Sequence, residues 1–232
     1  MNKLKHHVSK ILEDIQIDFG GGCSVSKGYL MAWLIRKYQI DYSVDIGVYR
    51  GRSLLPQAIA HREYTGGTAY GVDPWRNSAA RENDNLALRE AIDKFVSTTN
   101  FPSIYEEVDA LIRVLNLDQN CTLMRAMSCE AIGYFESKGI TFGLIHIDGN
   151  HDSERVMEDV SLYLRRLSRG GFLVIDDVSW DSVKPAYAVA SKRLCRIYQR
   201  SDKWNDYAVF WDAPSRTAAS LLHARLMLVG RG

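Results

Sequence analysis

Val44-Asp45-Ile46-Gly47-Val48-Tyr49-Arg50-Gly51-Arg52-Ser53 reads as the end of an apolar strand, Tyr42 to Ile46, running into a glycine turn that opens a helix. Glycines at 47 and 51 let a backbone approach a ligand closely, and the amides at the following helix start can receive a carboxylate or phosphate. Taken alone, the same residues also describe a plain strand-to-helix turn. Roughly twenty residues later Gly71-Val72-Asp73-Pro74-Trp75 closes a second strand on an acid, the arrangement that holds ribose hydroxyls in doubly wound sheets. The Gly47-x-x-x-Gly51 spacing departs from Gly-x-Gly-x-x-Gly, which favours a turn holding an amino acid portion over one cradling a pyrophosphate. Asp73 could instead cap its turn before proline.

Two further strands end in acid. Phe142 to Ile147 runs into Asp148-Gly149-Asn150-His151, and Phe172 to Ile175 into Asp176-Asp177-Val178-Ser179-Trp180. If these strands are neighbours in a parallel sheet, Asp148, Asp176 and Asp177 reach the same rim as Gly47 and Asp73. Three crowded carboxylates repel unless a cation neutralises them, and an oxygen donor set suits magnesium, manganese or calcium. The alternative is that Asp177 or Asp152 caps the next helix.

Around these signals the chain alternates strands and helices. Leu4, Val8, Ile11, Leu12 and Ile15 have helical spacing. Gly20-Gly21-Gly22 breaks that helix, and Ser24 or Ser26 can cap a second one that leads to the first strand. Residues 76–119 form a helical insertion before a third strand at Thr122 to Arg125. Leu194 to Tyr198 and Tyr207 to Trp211 are spaced to pair as an antiparallel hairpin after a largely parallel sheet. We therefore expect one α/β domain over residues 1–232, with amino-terminal helices over 1–40 and the 76–119 insertion as a cap over the substrate.

Composition narrows the function. The 29 basic and 28 acidic residues give no field that would draw the protein to nucleic acid or an anionic membrane, so a small-molecule partner is expected. Apolar runs such as Gly171 to Ile175 are far short of the roughly 20 residues that span a bilayer. With no secretion-signal pattern at the amino terminus, cytoplasmic residence is the expectation. Cys23, Cys121, Cys129 and Cys195 are scattered and read as reduced thiols. The first helix and the tail Leu221 to Leu228 have apolar faces for their own core or for a homodimer.

Asp45-x-Gly47-x-x-x-Gly51-x-Ser53, Asp73, Asp148 and Asp176-Asp177 together resemble the metal-dependent small-molecule O-methyltransferases, the macrocin O-methyltransferase group and, more distantly, catechol O-methyltransferase. The resemblance spans roughly residues 24–212. It implies the Rossmann-like class I methyltransferase fold, a mostly parallel seven-stranded sheet with helices on both faces, and S-adenosylmethionine as cofactor. It also implies that Gly47, Gly51 and Ser53 border the methionine portion, with Asp45, Tyr49, Trp75 and Asp148 in the same cofactor site, Asp73 on the ribose and Ser128 on the adenine side. Met127 stands where relatives often carry an aspartate, so Ser128 could merely cap a helix. Asp148, Asp176 and Asp177 are the implied metal ligands, for Mg2+ or else Mn2+ or Ca2+.

His151 stands where catechol-type enzymes carry a proton-accepting lysine; His151 and Asp148 are thus the candidate catalytic bases, and His151 could alternatively orient Asp148 or cap the helix starting near Ser153. His146 points to the strand face opposite Ile145 and Ile147 and reads as packing. The expected reaction is transfer of a methyl group to a small-molecule hydroxyl of the sugar or natural-product type, with Trp75, Trp180 and Tyr187 as flat surfaces for a ring or else as core packing. The rivals are an NAD-dependent oxidoreductase and a non-catalytic cofactor-binding partner in a biosynthetic complex.

Overall fold

Four of the five residues of strand β1 (Tyr42–Ile46) are buried, because the strand is flanked on both edges and covered on both faces. In this computed structural model, which describes residues 3–19, 22–202 and 205–229, seven strands form one sheet. They are β1, β2 (Thr68–Val72), β3 (Cys121–Met124), β4 (Phe142–Ile147), β5 (Leu167–Asp176), β6 (Cys195–Asp202) and β7 (Asn205–Trp211), in the order β3-β2-β1-β4-β5-β7-β6. The first five are parallel, while β7 runs antiparallel to both β5 and β6, as the hairpin reading required. Gly20 and Gly21 of the expected break, and the Leu228 side chain, lie outside what the structure describes.

The alternation of side chains along a strand sorts two cores. Val44, Ile46, Ile145, Ile147, Leu173 and Ile175 face helices α6 (Ser128–Ser137), α7 (Ser153–Tyr163) and α8 (Lys184–Arg193). Leu144, Phe172 and Val174 face the other side, with helices α1 (Lys3–Glu13), α2 (Val25–Tyr38) and α3 (Leu54–Ala60). The insertion contributes α4 (Arg89–Thr98) and α5 (Phe101–Val114), and α9 (Arg216–Val229) lays Leu222 and Leu226 against its own core. Residues 76–85 of the insertion are not helical.

Helix α2 is capped by Ser24, whose side chain accepts from the Lys27 amide at 3.1 Å, and Gln39 closes it in a left-handed conformation. Every residue from Lys27 to Ile35 is buried, as befits a helix enclosed on all sides. Full burial of Leu30 and Leu34 contributes about 1.5–3 kcal/mol apiece.

The register fixes the site. Ile46 pairs with Val72 and with Ile147, and Ile147 pairs with Ile175, so these four form one level rung. The next residues, Gly47, Asp73, Asp148 and Asp176, emerge side by side at the carboxyl edge. From β1 the chain winds one way to β2 and β3, and β4 and β5 lie on the other side. The crevice of an open α/β sheet falls at that reversal.

Candidate active site

At the end of β1 the backbone takes left-handed turns at Gly47 (φ 86°), Tyr49 (φ 48°) and Gly51 (φ 80°). A Cβ on Gly47 would lie 2.0 Å from the Asp148 carbonyl oxygen, so glycine is required for the β1 and β4 loops to meet. Hydrogen bonds extend the sheet one step past its strands: Gly47 N donates to Val72 O at 3.0 Å and Asp148 N to Ile46 O at 2.9 Å. The Asp73 carboxylate accepts from the Tyr49 amide at 2.9 Å and the Trp75 amide at 2.6 Å. Burial pushes its pKa up to about 6 in spite of those two donors.

These groups border a cavity of about 630 Å3. Met127, Ser128, Arg155 and Asp159 line one part of it; Gly47, Tyr49 and Asp73 another; Asp148, His151, Asp176, Asp177 and Trp180 a third. Ser128 Oγ donates to Asp159, whose pKa burial raises to about 6. Phe19, Leu88, Ile92 and Phe95 supply an apolar wall from the amino-terminal segment and the insertion.

The third part is a network of alternating charge. His146 is fully buried between Asp45 (Nδ1 to Oδ1, 2.6 Å) and Asp176 (Nε2 to Oδ1, 3.1 Å). Burial opposes its protonation, but Asp45 and Asp176 outweigh that and raise its pKa to about 9. Lys27, 2% exposed, places Nζ against Asp176 and 3.4 Å from Asp148 Oδ2. Burial disfavours the ammonium, yet the two carboxylates hold its pKa well above the ordinary lysine value. Asp148 resists burial in the opposite sense: Lys27 and His151 keep it well below the usual carboxylate range, whereas burial and the Asp148 charge push Asp176 up.

His151 completes the network. Its Nε2 lies 2.9 Å from Asp177 Oδ2 and 3.5 Å from Asp148 Oδ1, its Nδ1 2.7 Å from Glu82 Oε1, and its ring 5.0 Å from the Trp180 ring. Burial disfavours the imidazolium, but these three carboxylates hold its pKa well above 6.5. Glu82 arrives from the insertion, which is fastened over the β4 loop by Asn150 Nδ2 to Ala79 O (3.0 Å) and Arg81 O (2.8 Å), and by the Asn83 and Asp84 amides to Asp152 Oδ1 (2.6 and 2.8 Å).

Gly47, Tyr49, Asp73, Ser128, Asp148, His151, Asp176 and Asp177 therefore share one cavity, as their positions at strand ends suggested. Other expected residues take different places. Asp45 is buried beneath the cavity on His146. Gly51 packs toward Leu55 and Val108, and Ser53 is buried at the start of α3 without a side-chain cap bond. Trp75 is no ligand surface: it is fully buried, donates from Nε1 to Tyr49 O at 2.9 Å and meets Tyr105 edge-on. Tyr187 bonds Arg196 and Gln199 and packs on Phe210, outside the cavity lining.

Sequence reading passed over two members of the network, Lys27 and Glu82, and took a third, His146, for packing, whereas it bridges Asp45 and Asp176. His146 was legible in principle, since alternation puts it on the same strand face as Asp148 and the register sets it beside Asp45. Lys27 stands out only as a charge just before the apolar run Gly28 to Ile35. Glu82 carries no local signal in a polar stretch.

A doubly wound sheet in this strand order, with acids from β2, β4 and β5 and a glycine turn from β1 around one cavity, is the Rossmann-like fold of class I methyltransferases. The profile of a family described as a methyltransferase domain matches residues 44–178, more than half the chain, and the protein belongs to that family. No curated protein sequence matches it.

Among solved structures, the O-methyltransferase from Bacillus cereus in complex with SAH superposes with a TM-score of 0.62 at 13% identity, over 91% of this chain and 90% of that one. TomG from Streptomyces achromogenes, an O-methyltransferase of tomaymycin synthesis in complex with SAM, gives 0.61 at 12% identity over the same shares. The SAH-bound methyltransferase PaMTH1 of Podospora anserina gives 0.59 at 14% identity, over 92% of this chain and 89% of that one. At such identities the likeness speaks for the fold.

Proposed function

We propose that the protein transfers the methyl group of S-adenosylmethionine to a hydroxyl of a small molecule of the sugar or natural-product type. The observation that carries this reading is the single cavity joining the Gly47 turn and Asp73 to the His151, Asp177 and Trp180 cluster. Asp73 accepts from the ribose hydroxyls, Ser128 and Asp159 border the adenine, and the Gly47–Tyr49 turn holds the methionine portion. SAM- and SAH-bound neighbours of the same fold support the cofactor.

The acceptor enters beside Trp180, under the 76–119 segment, which caps the site and keeps out water through Glu82 and its neighbours. The sulfonium is already a strong electrophile, so the chain's contribution is orientation, desolvation and removal of one proton. His151, flanked by Glu82, Asp148 and Asp177, rests as the imidazolium and orients the acceptor oxygen. With His151 already charged, the hydroxyl proton passes to a carboxylate beside it, Asp148, the other expected base, or Asp177, as the methyl group leaves sulfur for oxygen.

Asp148, Asp176 and Asp177 are the residues that would hold a divalent metal. The donor set argues against that fit, since the Lys27 ammonium already lies between Asp148 and Asp176 and His151 lies between Asp148 and Asp177. No step of the reaction is routed through a metal.

Calorimetric titration of S-adenosylmethionine and, separately, NAD into the protein and its Asp73→Ala variant tests the assignment. Binding of the methyl donor that the variant loses supports it; binding of NAD alone, or of neither, refutes it.

A further inference from the structure

We propose that the Lys27 ammonium is the resident cation of this site, standing between Asp148 and Asp176 where a divalent metal would otherwise be bound, so that methyl transfer here is metal-independent. The inference rests on the methyltransferase reading for what the site is used for, and on geometry alone for what occupies it.

The carboxylate oxygens can be followed one by one. Asp148 Oδ2 and Asp176 Oδ2 both face Lys27 Nζ. Asp176 Oδ1 faces His146 Nε2 at 3.1 Å, while Asp148 Oδ1 and Asp177 Oδ2 face His151 Nε2 at 3.5 and 2.9 Å. Of the three aspartates' oxygens only Asp177 Oδ1 has no such cationic neighbour in these pairs. A hard divalent ion takes about six or more oxygen donors, waters included, at about 2.0–2.6 Å. An ion on Asp148 Oδ2 and Asp176 Oδ2 would sit about as close to the ammonium as to the carboxylates. Lys27 is 2% and Asp176 11% exposed, so on that side of the cluster water screens the repulsion less than it would at the surface.

Withdrawal of the lysine is also blocked. Its backbone amide is fixed in the Ser24 cap, its side chain is 2% exposed, and its Nζ stands 5.8 Å from the centre of the Tyr207 ring. Every residue of α2 from Lys27 to Ile35 is buried, so the side chain leaves the helix among packed neighbours. Asp148 and Asp176, which come from different strands, are held together by the charge of a third element. Lys27 is thus a positioning residue for the rim that receives the acceptor.

The test compares Mn2+ binding, by the loss of the free-ion electron paramagnetic resonance signal, in chelator-stripped wild type, Lys27→Ala and Lys27→Met. Wild type is expected to bind Mn2+ no better than Asp176→Asn does. Removal of the ammonium leaves the carboxylates uncompensated, and both lysine variants should gain one site per chain with affinity at least about tenfold above wild type. The gain should vanish in Lys27→Ala/Asp176→Asn. Tight stoichiometric Mn2+ binding by wild type would overturn the proposal, and so would absence of binding in wild type and both folded lysine variants.

If neither variant folds, the wild-type protein decides by its own Mn2+ titration: no stoichiometric site supports the proposal, and one tight site per chain refutes it. Titration of S-adenosylmethionine into the same stripped samples separates the two readings. A protein that binds no methyl donor loses the methyltransferase assignment, while the Mn2+ comparison still reports on Lys27.

Discussion

Replacing Gly47 by alanine introduces one methyl group at the point where the β1 and β4 loops touch. The new Cβ would lie 2.0 Å from the Asp148 carbonyl oxygen, 2.5 Å from its carbon and 2.7 Å from Gly149 Cα, all backbone atoms that cannot rotate away. The left-handed φ of 86° adds about 1–2 kcal/mol for an L side chain. Forcing the loops apart adds about 1–3 kcal/mol, the usual cost of overpacking. The total of roughly 2–5 kcal/mol corresponds to a Tm lower by about 4–20 °C in a chain of this size.

Gly66→Ala is the matched control, with φ of 70° and open space around its Cβ, so only the conformational cost applies and the Tm falls by about 2–8 °C. Thermal unfolding followed by circular dichroism reads both variants. Calorimetry should also show at least about tenfold weaker S-adenosylmethionine binding for Gly47→Ala, because Asp148 moves with its loop, and no change for Gly66→Ala. Equal losses of stability in the two variants, with cofactor affinity intact in both, would refute the close-approach argument.

Acidity offers two further checks. His61 is buried with a pKa lowered to about 4 by desolvation, bonded to Ser43 and Thr65. The unfolded chain therefore takes up a proton below about pH 6.5 that the folded chain refuses until about pH 4. Stability should fall by up to about 3 kcal/mol across that window, and His61→Gln should flatten this acid limb in urea titrations. Asp73, raised to about 6 by burial, loses its charge on acidification, so S-adenosylmethionine affinity should weaken about tenfold between pH 7.5 and pH 5, and Asp73→Asn should bind weakly with no such dependence. The two tryptophans should separate cleanly. Trp75→Ala removes a fully buried ring and should cost about 3–5 kcal/mol, whereas Trp180→Ala should cost about 1 kcal/mol and act instead on the KM of the acceptor.

The sheet and its acidic rim were legible because they are local. Each of β1, β2, β4 and β5 carries its own apolar run and its own terminal glycine or aspartate. Once the strands are parallel, those ends must lie together, and Gly47, Asp73, Asp148 and Asp176 do. The hairpin was legible for the same reason, two short strand-like runs, Leu194 to Tyr198 and Tyr207 to Trp211, close enough along the chain to pair. Trp75 was misread because an aromatic next to a functional aspartate has the same local pattern whether it lines a cavity or fills a core; its burial against Tyr49 and Tyr105 depends on where α5 packs.

The sequence by itself, then, determined which strands form and what each presents at its carboxyl end, since both follow from two-residue periodicity and the residues at each break. Only the tertiary structure decided what neutralises that rim. Lys27 lies 121 and 149 residues from the carboxylates it joins, and Glu82 lies 69 from His151. Charge pairing acts through space over a few ångströms, and no local pattern in the chain records which distant side chain folding will bring into that range.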